Sequence, residues 1–444
     1  LLNVLHRPIV NYYGGHIARL LFAGQTAKFA NSIPCMQITS YPKEKINILF
    51  LENISEKAAS FFTDKGYTQV TRMKGALSEE ELIEAVKHVH LLGIRSKTMV
   101  TEKVLAAASK LQAIGCFCIG VNQVDLQAAT RAGVSVFNAP YSNTRSVAEL
   151  VIGLSIMLMR RITDKNKAAH EGTWFKESAG SYELRGKTIG IVGYGNIGSQ
   201  VSVLAEGLGL KVLFHDLETR LPLGNAQSCK SLDELLAASD IVTLHIPANK
   251  ATQNLVDAAR FAHMKPGAIF INCARGEVVD LQALKEALSS GHLSGAAVDV
   301  FPVEPEKSGA AFVTPLQGLP NVILTPHIGG STEEAQENIG EDVSLKLFNY
   351  LESGISYGSH TIPPISLPPV TGAHRILHIH NNVPGVLGAL NARLSDNGIN
   401  IVGQYLKTNE QIGYVVLDVD QQLSQQAIEL LKTVKETIKV RLLY

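Results

Sequence analysis

The chain has 444 residues, too many for one ordinary domain and enough for about three. Hydrophobic residues make up 45% and charged residues 18%, which excludes wholesale disorder. Lys+Arg 40 and Asp+Glu 40 cancel, so neither nucleic acid nor an anionic membrane is an expected partner on bulk electrostatics.

Five cysteines, at positions 35, 116, 118, 229 and 273, form no disulfide framework and fit a reducing cytosol, hence a cytoplasmic protein. Residues 1–43 contain Arg7, Arg19 and Lys28, with Lys43 at their end, and no acid; the next acid is Glu44. Arginine without acid is the compositional cue of a transit peptide. Met36, just ahead of the first well-formed strand, favours a different expectation: residues 1–44 form a non-native or disordered extension.

From residue 46 the pattern is regular. Apolar runs at 46–51, 90–94, 111–115 and 134–137 read as buried strands, with helical patterns between them at 79–86 and 101–108. Strand and helix in alternation imply βαβ crossovers and a parallel sheet. The apolar run 147–159 holds Glu149 and is closed by Arg160-Arg161. It is shorter than the ~20 residues of a bilayer span, so a buried helix over 147–161, bridging two α/β units, is expected. A second alternating series has strands at 188–192, 211–214, 241–244, 268–271, 296–298 and 322–324, with a capping-box pattern at Ser231–Glu234. Six strands make a second doubly wound sheet. Prolines 363, 364, 368 and 369 predict a stiff, extended spacer. Beyond it the order is βαββαβ, the ferredoxin-like arrangement, with strands at 375–380, 401–406, 412–418 and 438–443 and helices at 385–397 and 424–434. The fold class is therefore α/β: two Rossmann-like parallel-sheet domains and a C-terminal βαββαβ domain.

Gly193-Tyr194-Gly195-Asn196-Ile197-Gly198 is a G-x-G-x-x-G lying between a strand and an apolar helix at 197–208. Gly193 permits the tight turn, Gly195 admits a pyrophosphate close to the backbone, and Gly198 lets helix and strand pack. The helix N-terminus offers unpaired N–H groups to the anion. Asp216 ends the next strand; it would bind the adenosine ribose hydroxyls and repel a 2′-phosphate, which predicts NAD rather than NADP.

A nicotinamide cofactor needs groups that hold a substrate and move its proton, at the C-terminal ends of strands. Arg275, Glu304 and His327 follow successive strands there. A neutral imidazole accepts a hydroxyl proton near neutral pH, a flanking carboxylate fixes its tautomer, and arginine holds a carboxylate through its forked donors.

Three stretches carry a family resemblance: Phe270-Ile271-Asn272-Cys273-Ala274-Arg275-Gly276; Ala297-Val298-Asp299-Val300-Phe301 with Glu304-Pro305; and Thr325-Pro326-His327-Ile328-Gly329-Gly330-Ser331. They resemble the signatures of the D-isomer-specific 2-hydroxyacid dehydrogenases. The resemblance runs from about Lys45 to Tyr444 and includes residues 114–120, 143–150 and 327–340. It implies that His327 is the acid/base, Glu304 its partner and Arg275 the substrate-orienting group. It implies a cofactor set of Gly193, Gly195, Asn196, Ile197, Gly198, Asp216, His245, Cys273, Ala274, Arg275, Asp299, His327 and Gly330. Arg95, Ser96 and Asn143, with Arg275, would face the substrate. Lys97 stands where relatives commonly have arginine and would lose the fork. Trp174 and Lys176 match a segment that in relatives reaches a neighbouring subunit.

The resemblance also implies an inserted nucleotide domain. Residues 45–140 and 329–358 would form the substrate domain, 141–328 the NAD domain, 359–371 the linker and 372–444 a regulatory ACT domain. His378-Ile379-His380-Asn381-Asn382-Val383-Pro384-Gly385 resembles the start of such a domain. It implies L-serine binding at His380, Asn382 and Asn400 in a homo-oligomer, a tetramer. No carboxylate or thiol lies near His378 and His380 in sequence, so no metal is expected there; Cys116 and Cys118 read as core thiols. The activity implied is NAD-dependent oxidation of 3-phospho-D-glycerate to 3-phosphohydroxypyruvate with feedback by L-serine, and a side activity on 2-oxoglutarate stays open. Two alternatives remain: a dehydrogenase of glycerate or hydroxypyruvate, and a non-catalytic NAD-sensing regulator of the same fold. Arg95 and the C-terminal module speak against the first, the intact Arg275, Glu304 and His327 against the second.

Overall fold

The computed structural model describes residues 41–305 and 309–443. Residues 1–40 of the expected N-terminal extension lie outside them. The end of that extension is nevertheless packed: the Tyr41 ring lies 5.3 Å from that of His90, and Lys43 pairs with Glu352 at 2.8 Å.

The first sheet is wholly parallel, in the order β2-β1-β3-β4-β5. Its strands are β1 (Asn47–Phe50), β2 (Gln69–Arg72), β3 (Leu91–Ile94), β4 (Ala113–Cys116) and β5 (Ser135–Asn138). Four of them are the apolar runs of the sequence. The fifth, β2, is Gln-Val-Thr-Arg at an open edge and largely exposed, so it carries no apolar run. Short polar residues start the crossover helices. Ser55, Ser78, Thr101 and Asp125 each accept a backbone N–H at a helix N-terminus, and Ser78 with Glu81 completes a capping box.

The second sheet is also parallel, in the order β12-β11-β10-β9-β6-β7-β8. It comprises β6 (Thr188–Val192), β7 (Lys211–His215), β8 (Gln227–Ser228), β9 (Ile241–Leu244), β10 (Ile269–Asn272), β11 (Gly295–Val298) and β12 (Val322–Leu324). Only the two-residue β8, exposed and polar, has no counterpart in the sequence reading. The long apolar helix Thr144–Met159 does not span between the sheets along its length. Val147, Val151, Leu154 and Leu158 share a core with Ile191, Val201 and Ile271 of the second sheet and its first helix.

After β12 the chain returns to the first sheet through the helix Glu333–Ser353, whose Ile339, Val343 and Leu347 pack with Ile48, Phe50 and Phe137. The third sheet, β14-β15-β13-β16, is antiparallel. Its strands are β13 (His374–Asn381), β14 (Ile401–Thr408), β15 (Ile412–Val419) and β16 (Thr437–Leu443). Helices Val386–Ser395 and Ser424–Lys432 cover one face. The whole is α/β with a βαββαβ unit, as the alternation of elements predicts.

The spacer reading needs correction. Residues 362–367 do not cross solvent. Ile362 and Ile365, set beside the prolines, are buried, and Ser356 is hydrogen-bonded to both Pro363 and Ile365. The helix-free face of the third sheet (Leu377, Ile379, Ile412, Tyr414, Val416) shares one core with the first sheet. Apolar side chains on both faces of β13 and β15 cause this. A sheet that is apolar on both faces must be covered on both.

Candidate active site

The nucleotide loop leaves β6 beside β9, where the strand order of the second sheet reverses. Gly193 has φ +93°, and a Cβ there would come within 2.5 Å of the His245 carbonyl oxygen. A Cβ on Gly198 would overlap the Gly193 carbonyl. Above Gly195 there is open space, and no side chain caps the helix Asn196–Gly207 that starts there. Unpaired N–H groups beside open space fit a pyrophosphate. Asp216 receives the Tyr194 N–H at 2.8 Å and the Glu218 N–H at 2.9 Å, and Arg220 lies 3.5 Å away. These contacts fix the carboxylate at the end of β7, where a ribose would meet it. The residues present therefore fit a dinucleotide. His245 is held neutral by burial, its pKa lowered to about 3, with Thr243 as its partner at 3.1 Å. Cys273 is also buried, and burial pushes its thiol up.

The loops after β10, β11 and β12 converge. Glu304 Oε2 lies 2.8 Å from His327 Nδ1, and Glu304 Oε1 accepts the Phe301 N–H at 3.0 Å. The carboxylate thus bridges its own loop to the imidazole. A Cβ on Gly276 would overlap the Phe301 backbone, so glycine there seats the Arg275 loop directly against the Glu304 loop. Asn272 braces Arg275 by donating to its carbonyl at 3.0 Å.

His327 is not glycine yet has φ +54°. Such strain persists only where the surroundings over-determine it. Here the support is Asp299, 1% exposed. Its carboxylate accepts from Thr325 Oγ1 at 2.6 Å and from the N–H groups of Ile328 and Gly329 at 2.8 and 2.9 Å, while its carbonyl accepts the His327 N–H at 2.8 Å. Both Asp299 oxygens accept from the His327 loop, Oδ1 twice and Oδ2 once. Asp299, one of the expected cofactor residues, lies beneath that loop, and its Oδ2 keeps a free acceptor site.

From the first unit, Arg95, Ser96 and Lys97 follow β3. Lys97 lines a cavity of about 640 Å³ with Glu304, His327, Phe301, Phe312 and Ile328. Groups from both sheets therefore meet at one cleft. Asn143, which precedes the long helix, is 6% exposed, and its Oδ1 has no hydrogen-bond partner. A Cβ on Gly330 would overlap the Asn143 amide, so Asn143 packs against the return loop. Sequence reading missed Glu52, which receives the Arg95, Lys97 and Thr98 N–H groups. Its partners lie more than forty positions away, and no local pattern reports them.

In the third unit His380 is buried with an unpartnered Nδ1, and Asn382 donates to the Asn409 carbonyl at 2.7 Å. Asn400 is exposed. His378 packs 5.4 Å from His380 and meets Thr437 Oγ1 at 2.9 Å. Burial, with His380 adjacent, lowers the His378 pKa to about 3. Among the described residues no group of three or more His, Cys, Asp or Glu is placed to hold a metal. Burial raises the Cys116 and Cys118 thiols, and Cys118 bonds to Gln123 and the Gly120 carbonyl.

Residues 152–329 match the family "D-isomer specific 2-hydroxyacid dehydrogenase, NAD binding domain", and residues 376–439 match the AHAS small subunit-like ACT domain. The chain is 50% identical over 411 residues to D-3-phosphoglycerate dehydrogenase of Escherichia coli (strain K12), covering 92% of this chain and 100% of that protein. It belongs to the D-3-phosphoglycerate dehydrogenase family. The D-3-phosphoglycerate dehydrogenase of Dictyostelium discoideum is likewise 50% identical over 406 residues, covering 91% of this chain and 99% of that protein. Among solved structures, D-2-hydroxyisocaproate dehydrogenase superposes with TM-score 0.66 at 25% identity, over 71% of this chain and 100% of that one. A D-lactate dehydrogenase from Aquifex aeolicus, complexed with NAD and lactic acid, gives 0.62 at 28% identity, over 71% and 100%. The NAD-binding match coincides with the second sheet and the ACT match with the third, so the D-3-phosphoglycerate dehydrogenase architecture spans all three units.

Proposed function

We propose that the chain oxidises 3-phospho-D-glycerate at C2 to 3-phosphohydroxypyruvate with NAD, the first step of L-serine biosynthesis, under feedback by L-serine. The observation that carries this reading is the 2.8 Å contact of Glu304 with His327, on a loop clamped by Asp299 beside the Arg275 loop. Glu304 occupies Nδ1, which leaves Nε2 to take the substrate hydroxyl proton. The resulting imidazolium is stabilised by the carboxylate at its other nitrogen. Arg275 pairs with the substrate carboxylate and polarises the developing carbonyl. Arg95 and Lys97 supply positive charge for the phosphate; lysine meets it as a point charge rather than a fork. The residues that would hold the cofactor are Gly193–Gly198 at the pyrophosphate and Asp216 at the ribose. Bound NAD supplies the hydride acceptor.

L-serine would sit at His380, Asn382 and Asn400, where amide and imidazole groups suit an amino acid's carboxylate and ammonium. Trp174 is 86% exposed, as suits an arm that reaches another subunit of a homotetramer. No described helix is long and apolar enough to cross a membrane; with the sparse free thiols this supports a cytoplasmic location.

The test is a steady-state panel: 3-phosphoglycerate, glycerate, hydroxypyruvate and 2-oxoglutarate, each with NAD(H) or NADP(H), with and without L-serine. The expected result is the highest kcat/KM for 3-phosphoglycerate with NAD, falling on addition of serine. A higher value for an unphosphorylated acid would overturn the substrate assignment, and a rate indifferent to saturating serine would overturn the effector assignment.

A further inference from the structure

The first sheet has its own strand-order reversal, between β1 and β3. Glu52 stands just past the end of β1 at that crevice, the position where open α/β sheets bind ligands. Its backbone is left-handed, φ +57°, as is that of Asn53 at φ +54°. The Glu52 and Asn53 N–H groups are held by the Gly75 and Met73 carbonyls at 3.0 and 3.1 Å. The strained turn drives the side chain inward, to 8% exposure.

There the carboxylate is fully used. Oε1 accepts the Arg95 and Thr98 N–H groups at 3.0 and 2.9 Å, and Oε2 accepts the Lys97 N–H at 3.0 Å. Arg95 is gripped from its other side, because Gln123 Nε2 donates to the Arg95 carbonyl at 2.6 Å. Residues 95–98 are thus wound round one buried carboxylate, with Ser96 and Lys97 exposed above it and Lys97 lining the cavity of His327.

We propose that Glu52 is the positioning residue of the substrate loop: it never touches substrate, but it fixes the backbone from which Arg95 and Lys97 reach the anionic ligand. The inference rests on the reaction proposed above. Glutamine cannot replace the carboxylate. It has one acceptor oxygen, and its NH2 would point at an N–H of the loop. Losing charge-assisted bonds of this kind corresponds to roughly 10–100-fold in affinity. The loss falls on substrate binding because the NAD loop and the Glu304–His327 pair lie in the second unit.

The experiment compares wild type, Glu52→Gln and Gln123→Met in steady state, with NAD affinity by nucleotide fluorescence and melting by circular dichroism. Glu52→Gln is expected to raise KM for 3-phosphoglycerate roughly 10–100-fold with kcat within about threefold of wild type and NAD affinity unchanged. Gln123→Met loses only neutral bonds, the short one to the Arg95 carbonyl and two longer ones to Cys118 Sγ and the Gly120 carbonyl at 3.3 and 3.4 Å, and should raise KM less, roughly 3–10-fold. If Glu52→Gln does not fold, the Gln123 variant decides. An unchanged KM in a folded variant, or a fall in kcat and NAD affinity together, overturns the proposal. If wild type prefers another 2-hydroxy acid, the substrate reading fails on its own, and the KM shift is read on that acid.

Discussion

Replacing Asp299 with asparagine tests how the acid/base is held. The native carboxylate accepts three hydrogen bonds, from Thr325 Oγ1, Ile328 N–H and Gly329 N–H, at 2.6, 2.8 and 2.9 Å. Asparagine keeps one acceptor oxygen. If that oxygen serves Thr325 and Ile328, the amide NH2 meets the Gly329 N–H, and one bond to a charged group is lost, about 1.5–3 kcal/mol. The left-handed conformation of His327, itself costing about 1–3 kcal/mol, is then no longer over-determined. A displaced imidazole loses its alignment with the hydroxyl, and small misplacements cost up to about 100-fold. The expected kcat of Asp299→Asn is therefore roughly 10–100-fold below wild type, measured as the rate of NADH appearance by absorbance. Thr325→Val, which removes only a neutral partner, should cost less than tenfold, about 1 kcal/mol. An Asp299→Asn enzyme that melts earlier but keeps kcat within about twofold would refute the reasoning, since the loop would then tolerate loss of its anchor.

Asp216→Ser should relax the preference for NAD and let NADP in, because the carboxylate that repels a 2′-phosphate is gone while Arg220, 3.5 Å from that carboxylate and paired with Glu218 at 2.7 Å, stays nearby; the ratio of kcat/KM for the two nucleotides reads it. Arg375 and Asp418 form a buried ion pair at 2.7 and 3.0 Å, and Arg375 also donates to the Ser353 and Pro368 carbonyls. Arg375→Met should destabilise by about 3–5 kcal/mol in urea melts, and adding Asp418→Leu should recover part of it. His378, with its pKa lowered to about 3 in the fold against 6.5 for a free side chain, takes up its proton in the unfolded chain first. Its contribution is complete above pH 6.5 and drains away as pH falls toward 3. By pH 4.5 about 2–3 kcal/mol should be gone, and a His378→Gln variant should show a flatter urea-midpoint profile over that range.

What could be read from sequence was whatever is local. The βα alternation, the Gly193–Gly198 loop and Asp216 are all patterns within some twenty positions, and each falls on the expected element. What escaped is set by edges or by distance. Strand β2 is polar because it lies at an open edge, so no apolar run marks it. Glu52 acts on a loop 43 and more positions away, through backbone N–H groups that any sequence could supply. Asp299 and Asp216 look alike in sequence, both acids at strand ends. Their surroundings separate them: Asp299 is 1% exposed beneath the His327 loop, and Asp216 holds the Tyr194 N–H at the end of β7. The docking of the third sheet does have a signal in its strands. In β13 and β15 every position but the exposed Asn381 is buried, a two-sided pattern that asks for a second cover.

The central claim is that His327, held by Glu304 and Asp299, moves the proton in an NAD-dependent oxidation of 3-phosphoglycerate. The most direct measurement is kcat for His327→Ala against wild type with saturating 3-phosphoglycerate and NAD, in protein shown by calorimetry to be folded. A fall of roughly 100- to 10,000-fold is expected for loss of a general base. Turnover within about tenfold of wild type would contradict the account.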